Sequence, residues 1–328
     1  MAPLARVAIV FTGGTISSTV DPVAGGNVPT LSGADIVART PGLERIAEIV
    51  AIDRGRTPAS HFTFPALLSI AADLRSALAD PSIAGAVVVQ GTDAIEETAL
   101  CWDLVLDGPK PVVVTGAMRA ADQPGFDGPA NLGDAVRAAA ATELRGAGVV
   151  VCLAGEVHAA DDVTKTHTTS LTTFRSPNTG PLATVDGDRV HVDRARVGRR
   201  HVTTDRAAER VHLVTATVGA DGTLIDAGRE AGADGFVVAA TGGGNTSLGL
   251  LEAGRRAIDA GLPVVLVSRA LAGRASGAYA FPGGGATWLR AGALLAGTLS
   301  GPKARVALAL GIGAGLERDG LARLLAGD

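Results

Sequence analysis

Four short stretches of this chain gather side chains that can attack a carbon, move a proton or hold a charge. Thr12-Gly13-Gly14-Thr15-Ile16 sets a hydroxyl ahead of two glycines. Such a turn bends sharply, leaves backbone N–H groups able to approach a ligand, and presents the threonine oxygen as a nucleophile. Gly91-Thr92-Asp93, followed by Glu96-Glu97-Thr98, adds a second threonine beside a carboxylate. Thr115-Gly116-Ala117-Met118-Arg119 precedes Asp127-Gly128-Pro129-Ala130-Asn131, and Asp161-Asp162-Val163-Thr164-Lys165 places a lysine among hydroxyls and carboxylates. That lysine is either solvated or a buried base. Each stretch has a plainer reading as well. The first is a glycine-rich turn, Thr92 or Asp93 caps a helix, Glu96 and Glu97 complement its dipole, and Asn131 caps another helix after the Asp-Gly-Pro break.

These residues gain meaning from what precedes them. Val7–Phe11, Ala86–Val89, Val112–Val114 and Val149–Leu153 are short apolar runs rich in Val and Ile, and Val211–Val214, Gly235–Ala239 and Val264–Val267 repeat the pattern later. Continuous apolar runs separated by helical patterns predict strands buried on both faces, hence an α/β protein with parallel sheets. In such sheets chemistry collects in loops at the carboxyl ends of strands, where all four stretches fall. Between Gly180 and Arg210 the pattern gives way to polar and charged residues, including Arg194 to Arg200, read as a solvated linker. We place an N-terminal α/β catalytic domain at 1–190, a linker at 191–209 and a C-terminal α/β domain at 210–328.

At 328 residues the chain exceeds the size at which one core stops growing, which also argues for two domains. Its 47% hydrophobic and 19% charged residues exclude a disordered or collagen-like protein. A formal net charge of −4 with dispersed arginines offers no field for phosphates, so no nucleic-acid partner is expected. No apolar run reaches membrane-spanning length and Met1–Arg6 is too short and weakly basic to begin a signal peptide, so a soluble, cytoplasmic protein is expected. Cys101 and Cys152 make no disulfide framework and fit small core positions. The histidines show no metal-ligand spacing, and the glycine-rich turn matches neither a dinucleotide nor a phosphate-loop pattern.

Taken together, Thr-Gly-Gly-Thr-Ile (12–16), Gly-Thr-Asp-x-x-Glu-Glu-Thr-Ala (91–99), Thr-Gly-Ala-Met-Arg (115–119) with Asp-Gly-Pro-x-Asn-Leu (127–132), and Asp-Val-Thr-Lys-Thr (162–166) resemble the bacterial-type L-asparaginases, which include glutaminase-asparaginases. Order and spacing agree, and the likeness continues through Gly-Gly-Gly-Asn (242–245) and Gly-Pro-Lys-Ala-Arg (301–305). The resemblance implies a larger N-terminal parallel-sheet domain and a smaller C-terminal flavodoxin-like domain. It implies hydrolysis of L-asparagine to L-aspartate and ammonia through a threonine acyl-enzyme, needing no metal or cofactor. Thr12 would be the nucleophile, with Thr92, Asp93 and Lys165 as a second catalytic cluster. Ser60, His61, Gly91, Ala117 and Asn245 would bind the amino-acid substrate, and a homo-oligomer, dimer or tetramer, is implied.

Departures accompany the likeness. Better-known members carry a tyrosine in the mobile loop after the nucleophile, whereas the single tyrosine here is Tyr279, outside the expected lid Ser17–Leu31, so Thr15 or Ser17 is the expected relay. His61 and Gln90 replace residues common at the rim of the pocket, and Arg269–Gly285 lacks the acidic residue that relatives lend to a neighbouring subunit. Three alternatives stay open: a weakly catalytic amino-acid-binding or regulatory protein, an amidase preferring glutamine or asparaginyl peptides, and a component of an amidotransferase. Against the last stand the charge and the expected lack of an additional N-terminal domain.

Overall fold

The computed structural model describes residues 4–327; the start of Met1–Arg6, read above against a signal peptide, lies outside the described residues. The chain divides into two compact units between Val197 and Gly198. In the first unit the strands of the large sheet are β1 (Ala5–Phe11), β4 (Ala47–Asp53), β5 (Ile83–Val89), β6 (Val112–Thr115), β7 (Val149–Leu153), β8 (Glu156–Ala159), β11 (Ala183–Asp186) and β12 (Arg189–Val192). Two hairpins stand outside that sheet: β2 (Ser18–Asp21) with β3 (Gly26–Pro29), and β9 (Thr164–Lys165) with β10 (Phe174–Arg175). The helices are α1 (Gly33–Ala38), α2 (Leu43–Ile46), α3 (Phe64–Ala79), α4 (Ile95–Val105) and α5 (Gly128–Ala140).

Sheet order is β12-β11-β8-β7-β6-β5-β1-β4. From β4 through β7 neighbours are parallel, as the continuous apolar runs predict, and Val7–Phe11, Ala86–Val89 and Val112–Val114 are wholly buried. Beyond β7 the sheet turns antiparallel, which the sequence reading did not anticipate. The cause is local. Leu153 pairs with Glu156, so only Ala154 and Gly155 join β7 to β8, at φ +52° and +77°, and a parallel return needs a crossover of about a dozen residues. One face carries α1, α2 and α5 over Val7, Ile9, Phe11, Val87, Val89, Val113 and Val150. On the other, α3 and α4 pack together, Trp102 Nε1 donating to the Leu67 carbonyl 3.0 Å away.

The Arg194–Arg200 stretch is not the solvated run expected. Arg196 is buried, donating to both carboxylate oxygens of fully buried Asp103 at 3.0 and 2.6 Å and reaching Asp161 at 3.1 Å. Arg194 donates to the carbonyls of Pro181 and Gly180. Composition identified a charged segment, but a guanidinium whose main partner, Asp103, lies ninety-three positions earlier is invisible in it.

In the second unit β13 (Val211–Thr215), β14 (Gly235–Ala240), β15 (Val264–Ser268) and β16 (Leu294–Leu295) form an all-parallel sheet in sequential order. Phe236, Val238 and Ala240 face a core with Ile225, Leu250, Ala253 and Trp288 from α6 (Thr223–Glu230), α7 (Leu248–Asp259) and α8 (Gly285–Ala291). Helix α9 (Gly301–Gly313) packs on the sheet and α10 (Arg318–Ala326) against α9.

Candidate active site

Strand register brings three of the four loops to one level. Phe11 pairs with Val89 and Val89 with Thr115, so the chain leaves β1, β5 and β6 together at Thr12, Gln90 and Gly116. Strand β1 lies between β4 and β5, so successive connections run to opposite sides of it, and the crevice between β1 and β5 is the switch point where open α/β sheets bind ligands.

Backbone contact in that crevice is so close that only glycine fits. A Cβ on Gly14 would lie 2.2 Å from the Gly91 nitrogen, and one on Gly13 would lie 2.7 Å from Arg56 Cα. Both residues have positive φ, +103° and +94° for Gly13 and Gly14, a conformation costly for any side chain. The Gly116 position is closed in the same way by the Gln90 carbonyl, 2.5 Å from where a Cβ would stand. Glycines at 13, 14 and 116 therefore let the Thr12 loop, the Thr92 loop and the Ala117 loop pack closely.

Thr12 is 1% exposed, and both its N–H and its Oγ1 donate to the Val89 carbonyl at 3.0 Å. Thr92 is buried and Asp93 is 79% exposed in its side chain, both in a one-turn 3-10 helix, Thr92–Ala94. Neither caps α4, whose N-cap is Ala94 without a side-chain bond, so the capping reading fails for both. Their side chains meet Lys165 instead: its Nζ donates to Thr92 Oγ1 at 2.9 Å and Asp93 Oδ1 at 2.7 Å. With its side chain 15% exposed, Lys165 is not the solvated lysine of the plainer reading.

The other expected residues take varied places. Ser60 and His61 are exposed in the 3-10 turn Ala59–His61, which reaches Gly91 through Ala59. Ala117 is fully buried. Gln90, expected at the rim, is fully buried: Nε2 donates to the Gly91 carbonyl at 3.1 Å and Oε1 accepts from Thr98 Oγ1 at 3.0 Å, bracing the Thr92 loop from beneath. Ser17 Oγ donates to the Gly14 carbonyl at 2.7 Å, Ser18 Oγ shares that acceptor at 2.9 Å, and Thr15 is half-buried. The expected lid is the β2–β3 hairpin, tied by Val20 N–H to Asp122 Oδ2 and by Ala121 N–H to the Ser18 carbonyl. Asn245 lies in the second unit, closing a tight loop onto Thr241 at the end of β14, its buried Oδ1 without a hydrogen-bond partner.

Asn131 is not a cap. It sits inside α5, buried, where Nδ2 donates to the Gly116 carbonyl at 2.9 Å and Oδ1 accepts from Ala154 N–H at 3.0 Å. Asp127 takes the N–H groups of Met118 and Arg119. The Asp-Gly-Pro-x-Asn spacing thus holds the Ala117 loop rather than merely ending a turn. The signal was the asparagine's place, three residues into an apolar helix, where only a satisfied amide is tolerated. Among the described residues no cluster of His, Cys, Asp and Glu could hold a metal ion.

Behind the Lys165 hairpin, His158 is buried with Nδ1 3.0 Å from Ser176 Oγ and Nε2 3.3 Å from Glu156 Oε2. Burial holds its pKa below the ordinary 6.5, against the pull of Glu156. The unfolded chain then takes up a proton that the folded His158 declines. Stability is therefore full above that ordinary value and falls as pH drops towards the lowered one. Between about pH 7.5 and about pH 5.5 the melting temperature of the wild type should fall more than that of His158→Asn; parallel curves would show that this histidine contributes nothing.

The sequence profile described as "Asparaginase, N-terminal" matches residues 6–198 and "Glutaminase/Asparaginase C-terminal domain" matches 210–325. A "Probable L-asparaginase" of Deinococcus radiodurans is 37% identical over 98% of each chain. A "Probable L-asparaginase periplasmic" of Haemophilus influenzae is 32% identical, over 95% of this chain and 89% of that one. One component of the "Glutamyl-tRNA(Gln) amidotransferase" of Methanosarcina acetivorans is 32% identical over 83% of this chain and 66% of its own length. Profiles matched in both units, two L-asparaginases matched over 98% and 89% of their own length and a threonine–lysine cluster at the switch point agree: this chain belongs to the asparaginase family.

Proposed function

We propose that the protein is an amidohydrolase that converts L-asparagine to L-aspartate and ammonia through an acyl-enzyme on Thr12. One observation carries the reading: Lys165 Nζ is bonded to Thr92 and Asp93 in a loop whose Gly91 touches Gly14, two residues from the Thr12 hydroxyl. In this scheme Thr12 Oγ1 leaves the Val89 carbonyl and attacks the side-chain amide carbon. Lys165, acting in this step as the neutral amine, takes the Thr12 proton through Thr92 or directly and then gives it to the departing nitrogen, which leaves as ammonia. Backbone N–H groups of the glycine turn and of Thr92 hold the oxyanion. Water then attacks the ester carbon, aspartate leaves and the Thr12 hydroxyl is restored. Ser60 and His61 stand at the rim for the α-carboxylate, and Ala117 with Gly91 shapes the floor. Thr15 remains the relay proposed from the lid, while the bond from Ser17 to Gly14 gives that hydroxyl a competing task.

Asp93, with its other oxygen open to solvent, is placed to share its charge between Lys165 and the substrate's α-ammonium. Asp93→Ala is expected to lower kcat/KM by about 10²- to 10³-fold for asparagine, and far less for its analogue without the amino group. Undiminished discrimination between the two would show that another residue reads the amine.

Ammonia release from L-asparagine, D-asparagine, L-glutamine and asparaginyl peptides tests the function. No ammonia from any of them would favour the amino-acid-binding alternative. The likeness to an amidotransferase component favours a second reading, an amidase acting on glutamine, which the L-glutamine arm decides. The formal net charge of −4 provides no cationic field for RNA. Homo-oligomer formation is proposed on the family resemblance and is read by sedimentation. Cytoplasmic residence is proposed on the two buried thiols, Cys101 and Cys152, with a relative named periplasmic as the contrary case; cell fractionation separates them. Among the described residues no helix is long and apolar enough to cross a membrane.

A further inference from the structure

Lys165 reaches the site from a hairpin of only two residues per strand. Its ladder consists of Thr164 opposite Arg175 and Lys165 opposite Phe174, extended by the N–H and Oγ1 of Thr166 donating to the Thr173 carbonyl at 2.9 and 2.8 Å. An isolated two-stranded ribbon of this length is marginal. Something at its base must fix where Nζ falls.

We infer that Asp162 is a positioning residue for Lys165, its carboxylate clamping the two ends of the hairpin together; the inference rests on reading Lys165 as the proton-transfer group. Asp162 stands three residues before Lys165, buried, and its backbone N–H and that of Val163 both donate to the Ala159 carbonyl at the end of β8. From this fixed point its oxygens take four donors of the returning chain, all from Asn178 and Thr179. Oδ1 accepts from Asn178 Nδ2 at 2.7 Å, and Oδ2 accepts from Thr179 N–H at 2.8 Å and Thr179 Oγ1 at 2.7 Å. The Asn178 N–H lies 3.3 and 3.2 Å from the two oxygens. Arg194 Nη2 then holds Thr179 Oγ1 at 2.7 Å and the Gly180 carbonyl at 2.8 Å.

Four donors converging on one carboxylate explain why the residue is an aspartate. An asparagine would offer one carbonyl oxygen and an N–H₂ group in place of two acceptors, so at least one of the Asn178 and Thr179 donors would face a donor, and the hairpin ends would part. Displacement of a reacting group by about 1 Å costs on the order of 10²-fold in rate. Towards the tip of the hairpin Thr173 Oγ1 accepts from His167 N–H at 2.8 Å and donates to the His167 carbonyl, whereas Asp162 holds the base.

The test is a double-mutant cycle on the full chain with asparagine as substrate, each enzyme assayed well below its melting temperature. Asp162→Asn is expected to lower kcat by about 10- to 100-fold with KM within about twofold, and to have less than about a twofold effect in the Lys165→Met background. Should Asp162→Asn fail to fold, Thr179→Val removes one donor and is expected to lower kcat by about three- to tenfold, again only when Lys165 is present. Equal losses in both backgrounds, or wild-type kcat in Asp162→Asn, overturn the positioning role. Wild-type turnover in Lys165→Met alone overturns instead the reading of Lys165, and the inference with it.

Discussion

Thr12→Ala is expected to keep its fold and lose at least about 10³-fold in kcat, because the hydroxyl proposed to form the ester is gone. The fold should tolerate the change. Removing Oγ1 leaves the Val89 carbonyl still bonded to Thr12 N–H at 3.0 Å, so no buried acceptor is orphaned, and the loss in stability should be about 1 kcal/mol. Steady-state ammonia release alongside a thermal melt separates the two effects. More than about a tenth of wild-type activity in a folded Thr12→Ala protein would end the acyl-enzyme assignment.

Lys165→Met is expected to lower kcat by about 10²- to 10³-fold while moving KM little, since methionine matches the length of the chain but cannot take a proton. Unfolding should not confound the result. The lost ion pair is to a carboxylate that is 79% exposed and rehydrates, and exposed pairs contribute little to stability. A lysine whose task was only to fill space or pair with Asp93 would leave both constants near their wild-type values. The two variants bear on different halves of the proposed reaction: with Thr12→Ala no ester forms, whereas Lys165→Met still presents the nucleophile and forms it slowly.

What the sequence determined by itself was the kind of protein and the identity of its loops. Val7–Phe11, Ala86–Val89 and Val112–Val114 are apolar at every position because both faces of a parallel sheet are covered, and that pattern is local enough to read directly. Glycine at 13 and 14 behind Thr12, and a threonine–aspartate pair after Ala86–Val89, marked a candidate nucleophile and a polar cluster before any contact was known. The antiparallel half was less legible. Strands β11 and β12 are partly exposed at the sheet edge, where alternation is weak, and the β7–β8 turn holds Ala154 in a left-handed conformation that glycine usually marks.

Tertiary structure decided which loops meet. The order β4-β1-β5-β6-β7 places Thr12 beside Thr92 although seventy-nine positions of chain and two helical layers intervene, and no periodicity encodes strand order. It also turned residues with plain local explanations into parts of the site. Thr92 and Asp93 read as caps until Lys165 was found against them; Asn131 read as a cap until it was seen spanning Gly116 and Ala154; Gln90 read as rim until Thr98 was found beneath it. In each case the deciding bond joins residues distant in sequence or on different turns of chain. Side-chain type states what a residue can donate or accept, and only the packed fold states what it is offered.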